Sequence, residues 1–395
     1  MPTAETVGQS LAAALATRVQ GDRSASQAAH SDSLIDLSRE YGRGVVPERI
    51  LQAVDRSLAQ GHTHYTTRPG LPELAQAVAL KLAGEQGMSL DPAHEVVITC
   101  GGREGLFVAL QALVRPSDEV LVPALRPAFY GEAIALAQGV AVAVPLPAAE
   151  GFELRAERIR AGLTAKSRLL LLPTPANPTG VAVSAAEMGR IADLVAEHDL
   201  TVISDETLDE SLAGDVRHTS IASLPGAAPR TLVVGSFSRL YNLAAWRVGY
   251  FAGPRSLVQP ARELKQAMTI CTSAMSQFAA LEALTGPQDW LVQRRAEIDA
   301  KRAFVLAALD QMGLPHSSPQ ATPYLWIDVA RSGLDSDTLA RRLLAQTGVA
   351  VTPGTLFGPQ GRDYVRLSLW APFSELEQAM DRLRSAFETG LGGER

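Results

Sequence analysis

Short apolar runs recur along the chain at 95–100, 119–123, 140–145, 168–173, 200–204, 231–236 and 248–252. They are strand-length and mostly rich in Val, Ile and Leu, the texture of strands buried on both faces. Most intervals between them hold an amphipathic stretch of helical length, such as 184–198. That alternation predicts strand–helix–strand units, and so a mostly parallel sheet covered by helices on both faces. Upstream, Ile50, Val54 and Leu58 mark one helix by their spacing, and Leu71, Leu74, Val78 and Leu82 mark a second. The stretch from His62 to Thr66 and then Arg68-Pro69-Gly70 lies between them, a loop by its Pro-Gly pair. After about residue 286 the texture changes. A long helix over 287–312 leads to short strands at 323–328, 348–351 and 364–369, and a last helix starts at 373. The pattern predicts a large domain over 45–286 and a small α+β domain made of 31–44 with 287–395. Residues 1–30, rich in Ala, Ser and Gln without strong periodicity, read as a flexible arm.

Composition narrows the function. A chain of 395 residues suits two domains, and 46% hydrophobic content can fill their cores. The net charge is −6 and no block of like charges stands out, which argues against nucleic acid or an anionic membrane as partner. Met1 to Gln20 holds no long uninterrupted apolar core, so neither a signal peptide nor a membrane span is expected. Cys100 and Cys271 have no close partner in sequence, so no metal or redox motif is visible, and two reduced thiols fit a cytoplasmic protein. A small-molecule ligand is the remaining default. The basic residues are lopsided: Lys81, Lys166, Lys265 and Lys301 are the only lysines among 36 basic residues.

In a parallel sheet, ligands gather at the carboxyl ends of the strands, and the candidate residues fall there. Thr99-Cys100-Gly101-Gly102-Arg103-Glu104 leads from a strand into a helix. Glycines let backbone approach an anion, and a helix N-terminus offers free N–H groups to a phosphate. Asn177 follows the run 168–173 in a proline-rich turn, and Asp205 ends the run 200–204. Ser236, Ser238, Arg239 and Tyr241 follow the next run, with Arg247 a few residues on, and Arg366 sits on a late strand. Singly, each has an ordinary reading: Asp205 as a helix cap, Asn177 as a turn former, Arg247 as a surface ion pair.

Their order and spacing together resemble the class I aminotransferases of the aspartate-aminotransferase superfamily, the fold-type I enzymes that use pyridoxal 5'-phosphate (PLP). The resemblance runs from about Ile35 to the last helix. It includes His64-Tyr65-Thr66 with Gly70-Leu71-Pro72-Glu73-Leu74, and Val351-Thr352-Pro353-Gly354 with Phe357-Gly358. It implies an α/β fold and a homodimer with shared sites. Gly101, Gly102, Arg103, Ser236, Ser238 and Arg247 would hold the cofactor phosphate, and Tyr65 would reach it across the dimer. Asn177 would bond the ring oxygen, Asp205 would keep the pyridine nitrogen protonated, and Arg366 would bind the α-carboxylate of an amino or keto acid, with Tyr41 nearby.

The pattern breaks at position 239. The resemblance implies a Schiff-base lysine there, and the chain has Arg239. A guanidinium with a pKa above about 12 is a poor nucleophile and base. Other departures accompany it. Leu208 stands where the family usually has Tyr, and Ala244-Ala245 precedes Trp246-Arg247 in place of Thr-Gly. No aromatic occupies Leu125 to Ala128, where one that stacks on the ring is expected, and Arg39-Glu40-Tyr41-Gly42-Arg43 replaces a Gly-Glu-Pro-Asp-Phe segment. Local rules that break together point to a site whose function has moved. The expectation is amino- or keto-acid chemistry with PLP or pyridoxamine 5'-phosphate (PMP) held without a covalent link. Arg239 would then hold a carboxylate or steady a developing negative charge, and His64, Tyr241 or Tyr41 would move the proton. A PLP-independent enzyme using the arginine-rich cleft for an anionic substrate, a non-catalytic homologue, and an ordinary transaminase altered at 239 are the alternatives.

Overall fold

The computed structural model describes residues 34–42, 44–208 and 218–390; the arm expected over 1–30 lies outside the described residues. Ile35–Asp36 forms a short strand, β1, whose partner comes late in the chain. Val96–Thr99 (β2), Glu119–Pro123 (β3), Val140–Val144 (β4), Ser167–Pro173 (β5), Thr201–Asp205 (β6), Thr231–Ser236 (β7) and Gly249–Ala252 (β8) make one seven-stranded sheet in the order β2-β8-β7-β6-β5-β3-β4. Five strands, from β7 to β4, run parallel. β8 alone runs antiparallel to its neighbours β2 and β7. All seven apolar runs are strands, within two residues of the expected bounds.

The continuous apolar strands inside the sheet follow from burial on both sides, whereas β4, at its edge, leaves Val140 50% exposed. Leu169 and Leu171 of β5 pack with Leu106, Val108 and Leu110 of the helix Gly102–Leu113. Leu170 and Leu172 point the other way, to Met188, Ile191 and Leu194 of the helix Ala185–Glu197. Side chains that alternate across a strand therefore feed two separate cores. Full burial of each such leucine contributes about 1.5–3 kcal/mol. Ends are marked as expected. Pro72 opens the helix Pro72–Gln86 and Gly87 closes it at φ 67°. In the first helix, Glu48–Ala59, Ile50 and Val54 are buried, but Leu58 is 41% exposed.

After the helix Asp289–Gln311 come Tyr324–Asp328 (β9), Val349–Ala350 (β10), Thr352–Pro353 (β11) and Tyr364–Ser368 (β12). β9, β12 and β11 form an antiparallel sheet, and β10 pairs in parallel with β1. That pairing fixes where the segment after β1 runs. Leu37 N–H donates to the Ala350 carbonyl, and Ser368 N–H donates to the Leu37 carbonyl, which lays residues 37–40 beside Arg366 of β12. Among the described residues no helix is long and apolar enough to cross a membrane.

Candidate active site

The carboxyl edge of the large sheet opens into a cleft of about 430 Å³. β5, β6 and β7 end there at Pro173, Asp205 and Ser236. Because β8 is antiparallel, its beginning lies at the same edge, which brings Arg247 into the wall.

One end of the cleft is built from donors. β2 turns through Gly101 into the helix Gly102–Leu113, whose first N–H groups have no partner within the helix. Gly101 has φ 82°, and a Cβ there would run into the Arg247 guanidinium. A Cβ on Gly102 would meet Thr207 Cγ2 at 2.5 Å. Both positions thus require glycine, one for its left-handed backbone and both for room. Arg247 itself sits at φ 52°, an uncommon conformation for a residue with a side chain. Its guanidinium donates to the carbonyls of Ala244 (3.0 Å) and Cys100 (3.3 Å) and reaches Ser238 Oγ at 3.4 Å. Ser236 Oγ accepts from Ser238 N–H. Arg103 lies over the Phe129 ring, 4.8 Å from its centroid. Partial burial of its head group lowers the pKa of Arg247, an otherwise exposed residue, and Arg239 and Arg103 add to the effect by repulsion. The end is electropositive and suits a phosphate.

The floor is acidic. Asp205 is 7% exposed, accepts from Thr207 N–H at 3.0 Å and is bonded by the Tyr130 hydroxyl. Burial raises its pKa, against the opposing hydrogen bonds of Tyr130 and Thr207 and the charge of Arg239. Tyr130, itself buried and facing a carboxylate, is pushed well above the usual tyrosine value.

The far end pairs charges. Glu40 Oε2 accepts from Arg239 at 2.9 Å and Oε1 from Arg366 at 3.2 Å. Arg366 also donates to Asn177 Oδ1 at 2.9 Å. It is 1% exposed, with its guanidinium carbon 4.3 Å from the Tyr324 centroid and 4.9 Å from that of Phe357. Burial would raise the Glu40 pKa, but Arg366 and Arg239 outweigh it and hold the carboxyl at about 2. The same pairing, with Tyr324, raises the Arg239 pKa against its burial.

Of the residues singled out from sequence, Gly102, Arg103, Asn177, Asp205, Ser236, Ser238, Arg239 and Arg247 line this cleft. Gly101 backs Arg247, and Arg366 lies behind Glu40. Tyr241 does not belong to the wall. Asn242 N–H donates to the Arg239 carbonyl, and within that turn Tyr241 packs in the core against Phe237 and Trp290, 3% exposed. His64 and Tyr65 stand exposed on the loop after the first helix and do not line the cleft of their own chain. Tyr41 is 49% exposed, and its neighbour Glu40 takes the place by the arginines.

Sequence reasoning missed Glu40, Phe129 and Tyr130. An aromatic is expected near residues 125–128, and Phe129 and Tyr130, on the helix Ala128–Leu136, line the cleft just after that stretch. Leu125 is buried at 2% and Arg126 binds the Pro123 carbonyl. Glu40 lies 199 residues from Arg239 and carried no local signal beyond its place in the replaced segment.

With this geometry in place, the family can be assigned. Residues 34–383 match aminotransferase class I and II, and the chain belongs to that family. It is 35% identical to the aspartate aminotransferase of Pyrococcus abyssi, over 85% of this chain and 87% of that protein. The aromatic aminotransferase of Pyrococcus horikoshii superposes with a TM-score of 0.88 at 33% identity, covering 91% of this chain and 97% of that one. The aspartate aminotransferase of Thermus thermophilus with maleate gives 0.85 at 32% identity, covering 98% and 97%.

Proposed function

We propose that the cleft holds PLP or PMP without a covalent link to the chain and acts there on an amino or keto acid. One observation carries the reading: a donor-lined end faces a buried acid across the cleft, and among the described residues no lysine lines it. Lys81 and Lys301 pair with Glu85 and Glu297 one helical turn away, and Lys265 is fully buried against Thr269. The chain carries arginine at 239, where the family resemblance implies a lysine.

The residues present fit the vitamin. Gly101 and Gly102 let Arg247 and Thr207 pack close against the backbone where the helix Gly102–Leu113 begins, and the free N–H groups of that helix start suit a phosphate. Arg103, Ser236, Ser238 and Arg247 would hold it. Asp205 would pair with the ring nitrogen and keep it protonated. Asn177 receives Arg366 on its oxygen, which leaves its amide N–H groups for a ring oxygen. When bound, the vitamin supplies an electron sink for bonds at an amine-bearing carbon. Arg239 stays charged, so its part is to hold an anion and not to carry a proton. Arg366 would bind the ligand's carboxylate. A homodimer would bring the exposed Tyr65 of each chain to its partner's phosphate. The chain is read as cytoplasmic.

The test is titration of the purified protein with PLP and PMP, followed by borohydride treatment and intact mass measurement. The expected result is saturable binding, competed by inorganic phosphate, with no mass gain on the chain. A failure of both vitamers to saturate, or a pyridoxyl adduct on a lysine, would overturn the reading.

A further inference from the structure

We propose that Glu40 determines which ligands the cleft accepts: its carboxylate already occupies the Arg366 guanidinium, so a ligand carboxylate binds only by displacing it. This rests on the proposed function, in which the cleft takes an amino or keto acid.

A guanidinium has five N–H groups. Arg366 Nη1 gives its two to Glu40 and Asn177. Nη2 gives its two to the Ser38 carbonyl (3.3 Å) and Thr352 Oγ1 (3.4 Å). Nε is buried without a partner. The rings of Tyr324 and Phe357 crowd the guanidinium. Arg366 is therefore fixed in place, and every terminal donor is engaged. Among its four acceptors only Glu40 is a carboxylate, and it is the only one with a second guanidinium on its other oxygen.

Glu40 is also the partner able to leave. Its side chain is 42% exposed, whereas that of Arg366 is 2% exposed. It sits between β1 and the helix Glu48–Ala59, in a stretch without regular structure, and lines the cleft. A second carboxylate brought to Arg366 and Arg239 while Glu40 remained would face a like charge within a few ångströms. The chemistry that would recognise the ligand is thus the chemistry already present in the chain. Only an acid that outcompetes two charge-assisted hydrogen bonds can enter.

Maleate, with inorganic phosphate added to saturation to fill the donor-lined end, is the probe. Its affinity is measured by calorimetry on the full chain, on Glu40→Ala and on the near-isosteric Glu40→Gln, which keeps the proposal testable should the alanine variant fold poorly. Loss of the competing carboxylate is expected to tighten maleate binding by about tenfold or more, the equivalent of one charge-assisted hydrogen bond. Equal affinity in all three proteins, or weaker binding in the variants, overturns the proposal and leaves Glu40 as a balancing charge alone. The proposed function fails separately: if phosphate does not bind any of the proteins, the cofactor reading falls, while the maleate comparison stays readable without it.

Discussion

The two ends of the cleft solve the same problem, holding positive charge at a sheet edge, in opposite ways. At the donor-lined end, Arg103 and Arg247 are exposed, and among the described residues no carboxylate is seen in an ion pair with either. Backbone shape holds that end: Gly101 and Gly102 admit Arg247 and Thr207 close to the start of the helix Gly102–Leu113, and Arg247 itself sits at φ 52°. At the other end, Arg366 is buried and Arg239 largely so, and Glu40 joins them. A buried guanidinium needs its donors satisfied within the protein, while an exposed one can leave them to solvent. Among the described residues one end carries no paired carboxylate, and the other has supplied its own anion in Glu40.

The same substitution should therefore act differently at the two ends, and this is the largest contrast available. Arg366→Ala removes a buried cation, strands Asn177 Oδ1 and leaves Glu40 with one arginine. The expected loss is about 3 kcal/mol, the low end for breaking a buried pair because Glu40 can turn to solvent. Arg247→Ala removes an exposed cation and should change stability by no more than about 0.5 kcal/mol. Its effect should appear as weaker phosphate binding. Denaturant midpoints and phosphate titrations on both variants decide the matter. Equal destabilisation would mean that the ends do not differ as described.

The same asymmetry explains how much was legible in the sequence. The seven strands and the long helices follow from apolar periodicity, which is local. The donor-lined end follows from motifs that are each a few residues long, and so does Asp205 at the end of its strand. Glu40 was not legible, because its role is created by the β1–β10 pairing, which folds residues 37–40 onto a strand more than three hundred positions later. Tyr241 misled for the opposite reason: it adjoins the motif in sequence, but the turn after Arg239 sends its ring into the core. Adjacency along the chain says nothing about which side of a turn a side chain leaves from.

A smaller effect tests the donor-lined end by itself. Gly101→Ala places a methyl group against Arg247 on a backbone at φ 82°. The conformational cost alone is about 1–2 kcal/mol. The guanidinium must also shift, so phosphate affinity should fall while the Glu40 cluster is untouched. A variant with wild-type phosphate affinity would show that the cradle does not depend on the position of Arg247.

The pH response tests the same contrast from another side, because the two cleft carboxylates should move in opposite directions. Glu40 is held at about 2 against an ordinary 4.5. A depressed acid stabilises the folded state above its unfolded value and loses that contribution as pH falls. The stability gap between wild type and Glu40→Gln should then be constant above about pH 5 and narrow between 4.5 and 2. Asp205 has the contrary sign, because burial raises it from 3.8. Folding then binds a proton in that window, so wild type should lose stability relative to Asp205→Asn as pH rises from 3.8 through the raised value. Denaturant unfolding of the three proteins across this range, without added ligand, reads both slopes. Slopes of the same sign would place the two carboxylates in like environments and remove the distinction between a paired end and a buried floor. Opposite slopes would show that one carboxylate is stabilised by arginine and the other only tolerated in its buried place.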